Sequence, residues 1–432
     1  MAANTTPRLG DAPGRANRGR MPWLVGAAVV LPLAVTVRLL PVALHPQPAP
    51  TVRAAIPPGR PGKAIARRQS VRDMRGRSAL VRGIVAEIVG HYRRALADFQ
   101  RSAAAGSGDA MCEVGGLYAT GQGVTVNYAK AMKWYREGAA AGSGFAMCEV
   151  GLLYDRGRGV TVNYAKAMKW YREGAAAGNG IAMDDLAFLY KNGHGVPVNY
   201  AKAMKWFRKG AAAGDGNAMD DLAFLYKNGQ GVPVNYAKAM KWFRKGAAAG
   251  DGNAMREIGI LYDLGQGVPV DYAKAVKWFH KGAAAGSGGA MATIGALYRV
   301  GQGVPVDYAK AMKWFHKGAA AGNRDAMFGI GLLYDHGQGV PVDYAKAMKW
   351  YHKGATAGSG GAMATIGDLY RVGQGVPVDY AKAMKWYRKG AAAGSRNAMV
   401  GLAIMYHYGL GVAKNPPKAA KWAAAAAHAP RP

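Results

Sequence analysis

The sequence predicts an all-α fold, an α/α superhelical repeat solenoid, and three observations carry the prediction. Trp134, Trp170, Trp206, Trp242, Trp278, Trp314, Trp350, Trp386 and Trp422 recur every 36 residues. Met111 to Met399 and Tyr118 to Tyr406 keep the same interval, in register with the tryptophans. Glycines and a single Asn or Asp punctuate every period at fixed places. A fixed period of this size marks a stack of supersecondary units, each contacting its neighbours, rather than one globular core. About nine helix-turn-helix units of 36 residues are therefore expected over 109–427, preceded by a single N-terminal hydrophobic segment.

The first unit, 109–142, reads as two helices and two turns. Met111, Val114, Gly115 and Tyr118 fall at i, i+3, i+4 and i+7, the stripe of an amphipathic helix. Gly121 and Gly123 stop that helix, because glycine accepts the left-handed conformation at a C-terminus. Asn127 is placed to cap the second helix, and Asn or Asp stands there in every later unit. The second helix carries Tyr128, Ala131, Met132 and Tyr135 on one stripe, with Trp134 beside it, and ends at Gly142. The place of Gly115 holds only Gly or Ala, and the place of Ala131 only Ala. Closely packed helices need such gaps for a partner's large side chain, and the repeating Trp and Tyr supply them. The nine tryptophans are accordingly read as structural core. Residues 181–216 and 217–252 differ only at Ile181/Asn217 and His194/Gln230, which points to recent tandem duplication.

The motif AM-x3-G-x-LY-x2-G-x-GV, the Asn or Asp cap, and YAKAMKW[YF]-x2-GAAAG resemble the Sel1-like repeat family, a relative of the tetratricopeptide repeat. The resemblance covers about 91–427 and recurs nine times in register. In 91–106, Tyr92 and Ala95 match a second helix, while Asp98 stands where Trp belongs. Upstream, Val81, Ile84, Val85 and Ile88 suggest a capping helix, so 78–108 is read as a cap plus a degenerate half-repeat. The resemblance implies a right-handed superhelix that serves as a protein-interaction scaffold. Some secreted members are cysteine-rich, with disulfides inside each repeat, and some bind penicillin or hydrolyse β-lactams. This chain has only Cys112 and Cys148, so that activity, a cell-wall-related hydrolase, rests on family analogy alone.

The N-terminal stretch is distinct. Residues 1–20 are arginine-rich and expected to be disordered, and 21–44 form an apolar run broken by Arg38. That run is long enough for a marginal membrane span or a secretion signal. No small-x-small cleavage site follows, which favours an uncleaved anchor, with cleavage and secretion as the alternative. The arginines ahead of it place the solenoid outside the cytoplasm, on the periplasmic side if the source is bacterial. Residues 45–77 are Pro- and Arg-rich and read as an extended linker, and 428–432 as a tail.

Little in the sequence suggests catalysis, a metal or a cofactor. Cys112 and Cys148 occupy equivalent places in adjacent units, about 10 Å apart by helix-pair stacking, and are expected to be free thiols. GQGVPV follows a helix and lacks a Lys-Ser/Thr, so it is a turn rather than a phosphate loop. His280, His316 and His352 repeat at 36 and replace arginines, so they cannot converge on one ion. No Ser/His/Asp or Cys/His set is evident, and a non-enzymatic role is expected.

Two surfaces remain. The chain has 57 basic and 25 acidic residues, of which 1–90 hold 14 and 3, so an excess of 21 cations lies in the array. Lys130 and Lys133, with Lys205, Lys241, Lys277, Lys313, Lys349 and Lys385 in later units, form a candidate basic stripe along the second helices. Such a stripe attracts polyanions, and anionic polysaccharide or lipid phosphate is favoured. Nucleic acid is disfavoured, because the aromatics are committed to packing. The second surface is read from variation on the first helices, which line the concave side of solenoids. Glu113, Glu149, Asp184, Asp185, Asp220, Asp221, Arg256, Glu257 and Phe328 are its candidates, acidic toward the N-terminus. The leading expectation is a scaffold that binds a protein partner in this groove, and the second is a polyanion-binding envelope protein.

Overall fold

Each period folds as two helices because its starts and stops are both encoded locally. Asn127 and its equivalents accept a hydrogen bond from the third backbone amide of the second helix, at 2.9 Å in the first unit. The first helices are capped in the same way by Ser107, Ser143, Asn179, Asp215, Asp251, Ser287, Asn323, Ser359 and Ser395. Gly121 closes the first helix at φ 76°, a conformation that side-chain-bearing residues rarely take. A Cβ on Gly123 would lie 2.7 Å from Tyr92 Cβ of the preceding unit, so this glycine also permits close stacking.

The computed structural model describes residues 61–429, as twenty α-helices and no strand among those residues. Helices α1 (Pro61–Ile88) and α2 (Tyr92–Ala104) precede nine repeats. The first helices are α3 (Gly108–Thr120), α5 (Gly144–Arg156), α7 (Gly180–Asn192), α9 (Gly216–Asn228), α11 (Gly252–Leu264), α13 (Gly288–Val300), α15 (Arg324–Asp335), α17 (Gly360–Val372) and α19 (Arg396–Tyr408). Their second helices are α4 (Tyr128–Ala140), α6 (Tyr164–Ala176), α8 (Tyr200–Ala212), α10 (Tyr236–Ala248), α12 (Tyr272–Ala284), α14 (Tyr308–Ala320), α16 (Tyr344–Thr356), α18 (Tyr380–Ala392) and α20 (Pro416–His428). Most consecutive first helices touch one another directly, whereas consecutive second helices meet mainly through the first helix between them. The first helices therefore form the inner, shorter-radius side of the stack and the second helices the outer side.

The packing corrects the sequence reading at three points. The large ring that fills the gap at Gly115 is not Trp134 but its neighbour: a Cβ on Gly115 would lie 2.6 Å from the Tyr135 ring. Tyr171, Phe207, Phe243, Phe279, Tyr351 and Tyr387 are likewise fully buried. The nine tryptophans, from Trp134 to Trp422, are half-buried and lie against the flank of that core. Adjacent residues on a helix point about 100° apart, so only one of the pair can face the first helix squarely.

The second point is α1. It begins at Pro61, within the stretch read as a linker, because proline is accepted in a first turn and none follows before Ile88. The third is its packing face. Val81, Val85 and Ile88 are 56–60% exposed, and Gly76, Ala79, Gly83 and Ala86 are buried instead. The small stripe wins because it lets α1 approach α2 closely: a Cβ on Gly83 would lie 2.5 Å from the Phe99 ring. Asp98, in the place of the missing tryptophan, is buried and paired with Arg101 at 3.0 Å. The readings for 1–20, 21–44 and 45–60, and the last residues of the tail, lie outside the described residues. No helix among the described residues is long and apolar enough to cross a membrane.

Candidate binding surfaces

The first helices show how neighbouring repeats are joined. At about 100° per residue, the places of Cys112 and Glu113 cannot both look into a groove. The place of Glu113 faces the preceding repeat, and the places of Cys112 and Ala119 face the following one. Thus Lys191 of the third repeat pairs with Asp221 of the fourth at 2.9 Å, and Lys227 of the fourth with Glu257 of the fifth at 2.7 Å. Arg256 adds a second cation to Glu257 at 2.9 Å and donates to Thr293 of the sixth repeat at 3.2 Å. Cys148 lies with its Sγ 3.5 Å from Asp185 Oδ2, and it and Cys112 are buried free thiols.

The groove candidates from sequence are therefore mostly joint residues. Glu113, Asp184, Asp185, Asp221 and Glu257 are buried, and Glu149, Asp220, Arg256 and Phe328 are half-buried. Phe328 lies on Tyr351, with ring centroids 5.6 Å apart. At Asp220, burial, then the charges of Asp251, Asp221 and Glu257, push the carboxyl well above the ordinary value. One of its oxygens has no hydrogen-bond partner among the described residues.

The inner surface lies between the two joint faces, at the places of Asp109, Gly116 and Thr120. The place of Gly116 carries Leu152, Phe188, Phe224, Ile260, Leu332 and Ile404, all half-exposed. Phe145 and Ile181 stand beside this row at the place of Asp109. At the place of Thr120 the first four repeats are polar, with Arg156, Asn192 and Asn228. The later repeats present Leu264, Val300, Val372 and Tyr408 there, 50–67% exposed. The sequence reading passed over the Gly116 row. Its spacing to Asp109 and Thr120, i+7 and i+4, was the signal that would have found it.

On the outer side the lysines fall in three rows. Lys130 and its equivalents to Lys418 lie over Tyr118 to Tyr406 at 5.2–5.6 Å from the ring centroids. Lys209, Lys245, Lys281, Lys317, Lys353 and Lys389 lie over the tryptophans at 4.0–4.5 Å. Between them, Lys133, Lys205, Lys241, Lys277, Lys313, Lys349 and Lys385 are exposed, with no hydrogen bond or ion pair among the described residues. His280, His316 and His352 each meet the next repeat's tryptophan edge-to-face, at 5.1–5.4 Å. Where arginine occupies that place, Arg136, Arg172 and Arg208 donate instead to the next repeat's Tyr154, Tyr190 and Tyr226 at 3.0 Å.

The Sel1 repeat model matches nine consecutive segments, from 108–143 through 396–429. The chain belongs to the Sel1 repeat family. Among solved structures, a Sel1 repeat protein from Oxalobacter formigenes is 30% identical, with a TM-score of 0.51 over 56% of this chain and 99% of that one. The c5321 protein of uropathogenic Escherichia coli, a protective antigen with an SLR fold, is also 30% identical. That match covers 84% of this chain and 79% of the antigen, with a TM-score of 0.48. No curated protein matches the sequence. As a Sel1 repeat protein the chain is a scaffold of a kind that commonly serves protein interaction and is generally non-enzymatic. No cluster among the described residues has the make-up of a metal site.

Proposed function

We propose that this Sel1 repeat protein is a scaffold that holds a segment of a partner protein along its inner face. The observation that carries the proposal is the half-exposed row Leu152, Phe188, Phe224, Ile260, Leu332 and Ile404, a large apolar side chain in six of the nine repeats, with Gly116, Ala296 and Asp368 at the other three. Such a row offers apolar area to a guest without leaving the core open, which is how helical solenoids present extended binding surfaces. The chemistry is graded. Polar residues edge the row in the first four repeats, and Leu264, Val300, Val372 and Tyr408 extend it in the later ones. The opposite edge runs the other way, from Phe145 and Ile181 to Asp325 and Asn397. The partner segment is therefore expected to carry its polar groups on one edge at one end and on the other edge at the other. The acids once read as groove residues are assigned to the joints, so selectivity rests on the apolar row and its edges.

The test places a photo-crosslinking amino acid at Ile260 or Leu332, and at exposed Lys241 as a control. A protein captured at the inner positions but not at Lys241, and lost in a Phe188→Ser/Phe224→Ser variant that keeps its helical content, supports the reading. Equal capture at Lys241, or capture indifferent to the two substitutions, overturns it.

A further inference from the structure

The outer face is a second surface, independent of the inner one, and its chemistry differs. In the fourth repeat Lys238 rests on Tyr226 at 5.4 Å and Lys245 on Trp242 at 4.4 Å. Lys241 stands between them, exposed and without an ion-pair partner among the described residues. The three share one face at i, i+3 and i+7. Two of the cations are thus already held by rings, and little rotamer freedom is left to lose when an anion arrives. Asp221 and Glu257 are turned into the joints, and the caps of the third and fourth repeats, Asn199 and Asn235, are neutral. From the fifth repeat to the eighth the cap is an aspartate that pairs with Lys274, Lys310, Lys346 and Lys382 at 3.0–3.2 Å, leaving the other two lysines of each triad to meet an anion. The arrangement recurs from the third repeat to the eighth, about 10 Å apart along the stack.

We propose that this outer face binds a flexible, linear acidic polysaccharide, one that runs across consecutive repeats and places its carboxylates at successive lysine triads. Curvature favours such a guest. The second helices lie on the longer-radius side of the stack, where a flexible chain can follow the triads round but a flat bilayer meets only a few of them. Single-stranded nucleic acid would need open aromatic faces for its bases. From the third repeat to the eighth the first-helix tyrosines lie under the first lysine row and the tryptophans under the third. The place of Val126 is exposed in eight repeats, Val162, Val198 and Val234 included, and would suit a bilayer. Its methyl, however, already covers the helix-ending glycine: a Cβ on Gly121 would meet Val126 Cγ2 at 2.7 Å. The lack of variation fits as well. The inner row differs from repeat to repeat, as a particular partner demands, whereas the triads are uniform, as a repeating polymer demands.

The experiment titrates the full chain with polygalacturonate over a range of salt. Affinity is expected to fall steeply with salt and to grow with polymer length, from oligomers spanning one repeat to those spanning several. The variant carrying Lys205→Gln, Lys241→Gln, Lys277→Gln, Lys313→Gln, Lys349→Gln and Lys385→Gln should keep its thermal midpoint. It should bind about 100-fold less tightly at low salt, with a visibly flatter salt dependence. The corresponding Lys→Arg variant should bind like the parent. A glutamine variant that binds as tightly as the parent overturns the proposal, and so does affinity independent of polymer length. Two competitors complete the test: single-stranded DNA, and vesicles of phosphatidylcholine with or without equimolar phosphatidylglycerol. Stronger binding to DNA, or binding to the anionic but not the neutral vesicles together with indifference to polygalacturonate, overturns it in favour of those partners.

Discussion

Repeats one to five and repeats six to nine share the Ser, Asn or Asp N-cap of every helix and most of their turns, yet they are joined by different chemistry. In the first group an acid stands at the place of Glu113, and where the third, fourth and fifth repeats meet it pairs across the joint with Lys191 or Lys227. In the second group Thr293, Gly329, Thr365 and Gly401 stand there. Phe315 then lies against both Gly295 and Gly329, and Tyr387 against both Gly367 and Gly401. The outer side changes nearly in step, from Arg–Tyr hydrogen bonds to His–Trp ring contacts. One scaffold therefore tolerates an ionic joint or a ring-on-glycine joint, provided both sides change together.

That coupling is open to attack. The largest effect is expected for Lys191→Met, which removes the cation beside the buried Asp221. Breaking a buried pair costs about 3 kcal/mol or more, and hydrogen exchange should speed up in α7 and α9 before the rest. Adding Asp221→Leu should return most of that stability, because an apolar joint of similar volume replaces the pair. If the double variant is no more stable than the single one, the joint is not interchangeable. Gly329→Val comes next. Its Cβ would lie 2.6 Å from the Phe315 ring, so about 1–3 kcal/mol should be lost, while Lys313→Ala, on the exposed face of the same region, should change the thermal midpoint little.

Two kinds of titrating site should also answer pH in opposite directions. Asp220 is held above its ordinary value near 3.8, chiefly by burial. Its ionisation therefore penalises the folded state, a penalty absent at low pH that sets in as pH rises through the folded-state value. Asp220→Asn is expected to stabilise at neutral pH, with a gain in thermal midpoint that shrinks on acidification toward pH 4. An unchanged midpoint at neutral pH would contradict the assignment. His280 and His352 behave conversely. Burial, then Lys317 and Lys389 respectively, hold them below their ordinary value near 6.5. The unfolded chain takes up protons that the folded one refuses, so stability is lost as pH falls below about 6.5. The smallest predicted effect is thus a faster exchange of α12 to α18 at mildly acid pH, absent when both histidines are glutamine.

Most of the fold was legible because it is written in local signals. The period, the Asn and Asp caps and the stop glycines each act within a few residues, and the helices stand where they require. What the sequence concealed was phase, meaning which side of a helix meets which neighbour. Val81, Val85 and Ile88 look like a packing stripe, but Gly76 and Gly83 on the opposite face allow a closer approach, and closeness decided. Trp134 is the more conspicuous ring, yet Tyr135 points inward. Variation misled in the same way at the place of Glu113. A position that varies among the repeats can be an exposed contact or half of a matched joint, and only the partner at Lys191 or Lys227 tells them apart.

The third and fourth repeats are nearly the same sequence, and so are the joints that follow them. Excising 217–252 would bring Lys191 opposite Glu257, the kind of partner that Lys227 has now, and Asp215 would cap the helix that Asp251 caps. The shortened chain would lose about 10 Å of length and no matched contact. Repeat number is then a quantity that recombination can raise or lower one unit at a time, and the reach of the protein becomes a heritable ruler rather than a fixed dimension.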